Sequence, residues 1–203
     1  MDIAFLEIGT SNFDSLIESA HETTRGISID PIQSYLDDLP DKPNVKKICC
    51  AVTSHRTSDR IDIYYIPKQV IEENKLQHWF KGCNTIGNYH PLHIQHNVTH
   101  LVKVDKVPIV NIDELLESNN VRSIGFLKID TEGHDCVILQ GLFEYLKDKS
   151  TEYFPRRILF ESNENTPTLT VDETIEFALK LGYKVASRGY DTELFYDGSG
   201  KRI

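Results

Sequence analysis

One stretch of the chain sets side chains that can move protons or hold a cation close together: Lys128-Ile129-Asp130-Thr131-Glu132-Gly133-His134-Asp135. Phe126 and Leu127 before it are apolar, as in a strand covered on both faces. After Gly133 the apolar positions Val137, Ile138, Leu142, Tyr145 and Leu146 recur at the three- and four-residue steps of a helix. A buried strand that opens through a glycine-containing loop into a helix is half of a βαβ unit. In an open parallel sheet, ligands bind at the ends of such strands. Asp130 and Glu132, two residues apart, would point to one side of a strand while Thr131 points away. A carboxylate so placed at a strand end can accept a proton or hold a cation. The blander alternative is that these acids only cap the following helix and favour its positive end. Glu161 and Asn163 end another strand-like run. Asp130, Glu132, Glu161 and Asn163 therefore make a candidate oxygen-donor set for magnesium or calcium.

Positioning these groups requires a folded domain, and the composition permits one. The chain has 203 residues, 39% hydrophobic and 26% charged, enough for one domain with a substantial core and against extended disorder. Twenty-two basic and 31 acidic residues give a net charge of -9, so the global basic footprint of a nucleic-acid or anionic-membrane binder is absent. No apolar run is long enough to span a bilayer. Met1 to Leu6 runs straight into Glu7 without the basic flank of a signal peptide, and the expected location is cytoplasmic. Cys49, Cys50, Cys83 and Cys136 form no CxxC pair, which suits reduced thiols.

Read in order, Ile3 to Ile8 is an apolar strand ending in Glu7-Ile8-Gly9-Thr10-Ser11-Asn12. A helix is predicted from about Asn12 to Glu22, with Phe13, Leu16, Ile17 and Ala20 inward. Strand, glycine turn and helix form the nucleoside-binding entry of a Rossmann-like fold, although the full GxGxxG is absent. A second strand ends at Asp30-Pro31, a little over twenty positions after the first turn, where such folds place the acid that accepts ribose hydroxyls. Pro31 opens a short helix, and a third strand follows from Val45 to Val52. Ile61 to Ile66 reads as a further strand. Segment 67–100 is the least regular, with a helix predicted around Lys68 to Phe80, and is expected to be an insertion acting as lid or specificity region. Within it His90, His93, His96 and His100 recur at three- and four-residue steps, which on a helix could gather imidazoles round a metal. But Pro91 and Asn97 oppose a regular helix and no cysteine or acid stands among them, so structural or substrate-contacting histidines are expected over a zinc site. Extended runs at Leu101 to Val104 and Val107 to Val110 lead to Asn111, a good N-cap with Glu114 three residues on. Arg157 to Phe160 is a strand with polar residues 161–165 at its ligand edge. Thr170 to Glu173 reads as a capping box, and Tyr183 to Ala186 with Glu193 to Tyr196 as an antiparallel closing hairpin.

With these segments placed, the chain resembles the FkbM-type methyltransferases, a branch of the S-adenosylmethionine-dependent enzymes. Phe126 to Gly141 carries the likeness, through a Lys-Ile-Asp-x-Glu-Gly signature running into a Leu-x-Gly helix. Phe5-Leu6-Glu7-Ile8-Gly9, Ile29-Asp30-Pro31, Asn111 to Leu115 and Trp79 to Pro91 support it, so it covers nearly the whole chain. Glu7 stands where an aspartate is usual, Thr10-Ser11-Asn12 replaces a glycine-richer turn, and Asp135 replaces a glutamate. The chain also begins at its first strand, so it is either a minimal enzyme or a piece of a larger protein. The resemblance implies an α/β, Rossmann-like class I methyltransferase domain over residues 1–203. Its seven-stranded, mostly parallel sheet would carry helices on both faces and a C-terminal antiparallel hairpin. It further implies O-methylation of a sugar, glycan or related metabolite, with no nucleic acid or membrane partner. Glu7, Gly9, Thr10, Ser11, Asn12, Asp30, Pro31, Thr53 and Asp130 would hold the cofactor. Asp130, Glu132, His134 and Lys128 would serve catalysis. The alternatives are a non-catalytic methyltransferase-like nucleoside-binding module and a nicotinamide-dependent oxidoreductase.

Overall fold

The computed structural model describes residues 1–12, 14–163, 166 and 168–198; Phe13, Glu164 and Asn165, to which the sequence assigned places, lie outside these. The elements run β1 (Asp2–Ile8), α1 (Leu16–Ser19), β2 (Gly26–Asp30), α2 (Gln33–Asp38), β3 (Val45–Cys49), β4 (Ala51–Thr53), β5 (Arg60–Tyr65), α3 (Lys68–Glu73), β6 (Thr85–Ile86), α4 (Pro91–Gln95), β7 (Lys103–Asn111), α5 (Ile112–Ser118), β8 (Ser123–Ile129), α6 (Asp135–Leu146), β9 (Arg157–Glu161), α7 (Thr168–Lys180), β10 (Lys184–Arg188) and β11 (Asp191–Phe195).

Seven strands form the main sheet in the order β3-β2-β1-β8-β9-β11-β10. The first five pair in parallel, and β11 runs antiparallel to both β9 and β10, so the sheet is mixed and closes on the expected hairpin. Register decides what the sheet displays. Ile8 pairs with Ile29 and with Ile129, and Ile129 pairs with Phe160. The next residues of these four strands are Gly9, Asp30, Asp130 and Glu161, delivered side by side to one edge.

Both faces are covered because β1 alternates. Leu6 and Ile8 pack with Leu116 of α5, Leu139 and Phe143 of α6 and Val171 of α7. Phe5 packs the other way, with Ile17 of α1 and Leu36 of α2. Each such side chain contributes about 1.5–3 kcal/mol by leaving water. The helix of the central motif, α6, buries Ile138, Leu142 and Leu146 as its period predicts, together with Leu139 and Phe143, whereas Val137 and Tyr145 are only half-buried. Asn111 caps α5 in a full capping box with Glu114.

Four local expectations are corrected. The strand predicted from Val45 to Val52 breaks at Cys50, because β4 leaves the main sheet and pairs with β7 in a second sheet, β4-β7-β5-β6. That sheet buries its own core of Ile32, Tyr35, Ala51, Ile63, Val107 and Ile109. The helix predicted from Asn12 to Glu22 shrinks to the four residues of α1, since Ser11 and Asp14 adopt positive φ and keep the chain in turns. The helix predicted around Lys68 to Phe80 stops at Glu73: Lys75 also has positive φ, and a 3-10 turn, His78–Lys81, follows. Thr170 caps nothing, because α7 already begins at Thr168 and the Thr170 carbonyl accepts from Thr174 Oγ1. Among the described residues no helix is long and apolar enough to cross a membrane.

Candidate active site

The first strand ends in a turn that only glycine can make. Gly9 has φ +81°, and a Cβ there would lie 1.8 Å from the Asp130 carbonyl oxygen. The Gly9 and Thr10 N–H groups both donate to the Ile29 carbonyl, at 2.9 and 3.1 Å. Asp30, nearly buried, accepts from the Ser11 N–H through Oδ2 and from the Ile32 N–H through Oδ1, each at 2.8 Å. Burial pushes its carboxyl up to about 7, against the pull of those two N–H groups.

Glu7 faces away from this cleft. It is 0% exposed, accepts from Thr10 Oγ1 at 2.8 Å and the Leu16 N–H at 3.0 Å, and pairs with Lys128 Nζ at 3.4 Å. Lys128 also donates to the Asp14 carbonyl at 2.9 Å. Glu7, Thr10 and Lys128 thus brace the turn from behind. Asn12 donates to Asp38 Oδ2 at 2.7 Å, and Thr53 sits 3.1 Å from His134 Nε2. None of these five lines the cleft, whereas Gly9, Ser11, Asp30, Pro31, Asp130, Glu132 and His134 do.

Asp130 and Glu132 come together by a route other than strand alternation, since β8 ends at Ile129. Glu132 takes a left-handed conformation, φ +54°, and Gly133 follows at +96°. One carboxylate oxygen each of Asp130, Glu132 and Glu161 then lie within 4.8 Å of one another. Neither Asp130 nor Glu132 caps α6, whose N-cap is His134. Asp135 fastens the loop from below: Oδ1 accepts the Thr131 N–H at 2.9 Å and the Thr131 hydroxyl, and Oδ2 accepts the Glu161 N–H at 2.9 Å. Asn163 donates its amide to Glu161 Oε1, while Glu161 Oε2 is enclosed with no hydrogen-bond partner among the described residues. Desolvation in the cleft, reinforced by the neighbouring acids, pushes Glu161 up to about 8; Asp130 is raised in the same direction, to about 7, although its side chain is exposed. Asp135, fully buried, rises to about 6. Burial lowers His134, which favours its neutral ring.

These shifts set a stability profile. A carboxyl raised in the folded state contributes stability that is present below its unfolded pKa and is lost as pH rises through the folded value. For Asp30, Asp135 and Glu161 that loss begins near the ordinary carboxylate value of about 4 and is complete by about 6 to about 8. His93, lowered to about 4 by burial, acts oppositely, but only below its ordinary 6.5. The unfolding temperature should therefore rise between about pH 8.5 and about pH 6.5. A flat or falling trend in a calorimetric pH series would contradict this account of the acids.

The opposite wall comes from residues that the sequence did not single out. Cys50, Ala51 and Val52 enter at the β3–β4 break, and Ile63, Gly82, Asn84 and Ile86 come from the second sheet and the loop before β6. Their signal was slight: a small residue amid a strand and a Gly-Cys-Asn loop. The cleft encloses about 670 Å³, counting its open mouth. Of the four histidines, His90 and His93 are buried, and His90 Nε2 lies 3.0 Å from Glu132 Oε2. His96 is exposed, its ring edge-on to Trp79 at 5.5 Å, and His100 is exposed. All four cysteines are free.

A sheet edge carrying a glycine turn, a second-strand acid and a carboxylate trio has a counterpart among known families. The methyltransferase FkbM domain matches residues 7–185, spanning the turn, the second sheet, the carboxylate loop and β9. The chain belongs to the FkbM methyltransferase family. As a family member it is a methyltransferase, and the stretch from Lys128 to Asp135 lies inside the matched region. No curated protein and no solved structure matches the chain.

Proposed function

We propose that this methyltransferase carries a methyl group from S-adenosylmethionine to a hydroxyl of a sugar, glycan or related metabolite. One observation carries the reading: a single cleft joins the Gly9 turn and Asp30 at one wall to Asp130 and Glu132 at another. The fit is supported by two enclosed polar atoms on its lining, Ser11 Oγ and Asn84 Oδ1, that have no hydrogen-bond partner among the described residues. Asp30 would accept ribose hydroxyls, and Pro31, Ala51, Val52, Ile63 and Ile86 would flank the base. Bound there, S-adenosylmethionine supplies an electrophilic methyl on a sulfonium, open to in-line displacement. The protein must then hold the acceptor oxygen about 3 Å from that methyl and remove its proton. Asp130, with a carboxyl near 7, is matched to take that proton at neutral pH.

The trio also offers hard oxygen donors of the kind magnesium takes, and a bound cation would ease ionisation of the hydroxyl. Asn163, expected as a fourth ligand, stands beside the trio with its amide on Glu161, and its Oδ1 would be the donor to a cation. Titration with magnesium settles this part: saturable heat that disappears in Glu161→Gln assigns the trio a cation. No heat leaves deprotonation to the carboxylates alone.

Calorimetry with S-adenosylhomocysteine tests the reading itself. Micromolar binding is expected, weakened at least about tenfold in Asp30→Ala, or roughly 1.4 kcal/mol. Thermal unfolding of the variant separates lost binding from lost fold. A wild-type protein that binds no S-adenosylhomocysteine, with or without magnesium, would overturn the proposal.

A further inference from the structure

We infer that His90 is a positioning residue, reaching from segment 67–100 to hold the Glu132 carboxylate beside the place where the cofactor's sulfonium would lie. The inference rests on the reading just proposed and assigns a part of the site to a residue 42 positions away in the chain.

The direction of control follows from how each partner is held. His90 is 1% exposed, and its Nδ1 accepts the Leu92 N–H at 3.1 Å while it caps α4 ahead of Pro91. An acceptor Nδ1 carries no proton, so in the neutral ring the proton sits on Nε2, which donates to Glu132 Oε2 at 3.0 Å. The backbone of α4 therefore fixes the ring whether or not Glu132 is there. His93, fully buried with its ring centroid 5.7 Å from that of His90, backs it. With both nitrogens engaged, His90 is not itself a base for the acceptor.

Glu132 needs holding. Its φ of +54° is one that a side-chain-bearing residue keeps only where the surroundings over-determine it. Its carboxylate stands within 4.8 Å of the carboxyl oxygens of Asp130 and Glu161, and wherever these ionise their charge pushes it away. Below, Asp135 pins the Thr131 backbone; above, His90 supplies a donor that offsets the repulsion. The carboxylate is thus kept in the cleft wall, and segment 67–100 becomes part of the machinery of the site.

The test compares two ligands that differ in charge at one place: S-adenosylhomocysteine, neutral at sulfur, and sinefungin, which carries an ammonium where the sulfonium methyl would be. Wild type is expected to prefer sinefungin. In His90→Ala the preference should fall about tenfold, the scale of one near charge in a partly shielded site, with S-adenosylhomocysteine affinity kept within about twofold. His90→Gln, whose amide can donate from a similar position, should restore most of it. A preference unchanged in His90→Ala, or both ligands weakening together without rescue by glutamine, would overturn the inference.

Should His90→Ala not fold, Glu132→Gln must show the same lost preference. Nitrogen-15 spectra of the wild-type histidines must also show His90 as the Nε2–H tautomer, with a signal that moves in Glu132→Gln; failure of either also overturns it. If wild type binds neither ligand, the methyltransferase site as proposed falls. The tautomer spectrum then still reports on the His90–Glu132 contact by itself.

Discussion

Gly9→Ala is expected to abolish S-adenosylhomocysteine binding and to lower the unfolding temperature by roughly 10 °C. The added Cβ would lie 1.8 Å from the Asp130 carbonyl oxygen, 2.7 Å from its carbon and 3.2 Å from Thr131 Cγ2. Neither backbone can yield cheaply. Ile8 and Ile129 are paired in the centre of the sheet, and the Asp130 N–H donates to the Ile8 carbonyl at 2.9 Å. Relief would mean parting β1 from β8, and a φ of +81° costs alanine a further ~1 kcal/mol or more. Together these place the substitution among the severe ones, on the order of 4 kcal/mol. The same movement would spoil both cleft walls at once. Thermal unfolding followed by calorimetry checks it: an alanine variant with near-native unfolding and intact binding would show that the turn does not abut Asp130 as described.

Asp135→Ala should cost about 3 kcal/mol, measured as a shift in denaturant midpoint at unchanged slope. The side chain is fully buried, and its loss strands the Thr131 N–H and the Glu161 N–H, two backbone donors on different strands' ends. Asp135→Asn separates hydrogen bonding from charge. Its one oxygen can still serve Thr131, but its NH₂ then meets the Glu161 N–H, donor against donor. An intermediate loss of about 1–2 kcal/mol is expected. If asparagine matched wild type in stability, the bridge to Glu161 would carry no weight. Because this clamp sets the floor beneath Glu132, both variants should also weaken the sinefungin preference described above.

The local pattern was legible where backbone sterics and periodicity decide. The apolar run before Asp130 and the three-and-four spacing after Gly133 placed β8 and α6, and Asn111 with Glu114 placed the start of α5. It failed where a distant segment competes for the chain. Nothing near Cys50 signals that β4 will leave β3, because its partner, β7, lies more than fifty residues on. Helices were over-read at α1 and α3, where Ser11, Asp14 and Lys75 turn left-handed without a glycine to announce it.

The candidate site divides the same way. The sequence by itself determined that a glycine turn, a second-strand acid and an acid-rich loop stand at strand ends, since each is a local feature of strand, turn and helix. Tertiary structure alone decided which side chains face the cleft. Glu7 sits at a strand end like Asp30, yet it is turned inward by Thr10, Leu16 and Lys128. Glu132 and Glu161 meet because β8 and β9 are neighbours in register, and His90 meets Glu132 because segment 67–100 folds back over the sheet edge. Those outcomes depend on satisfying buried polar groups between segments far apart in the chain, which no local spacing encodes.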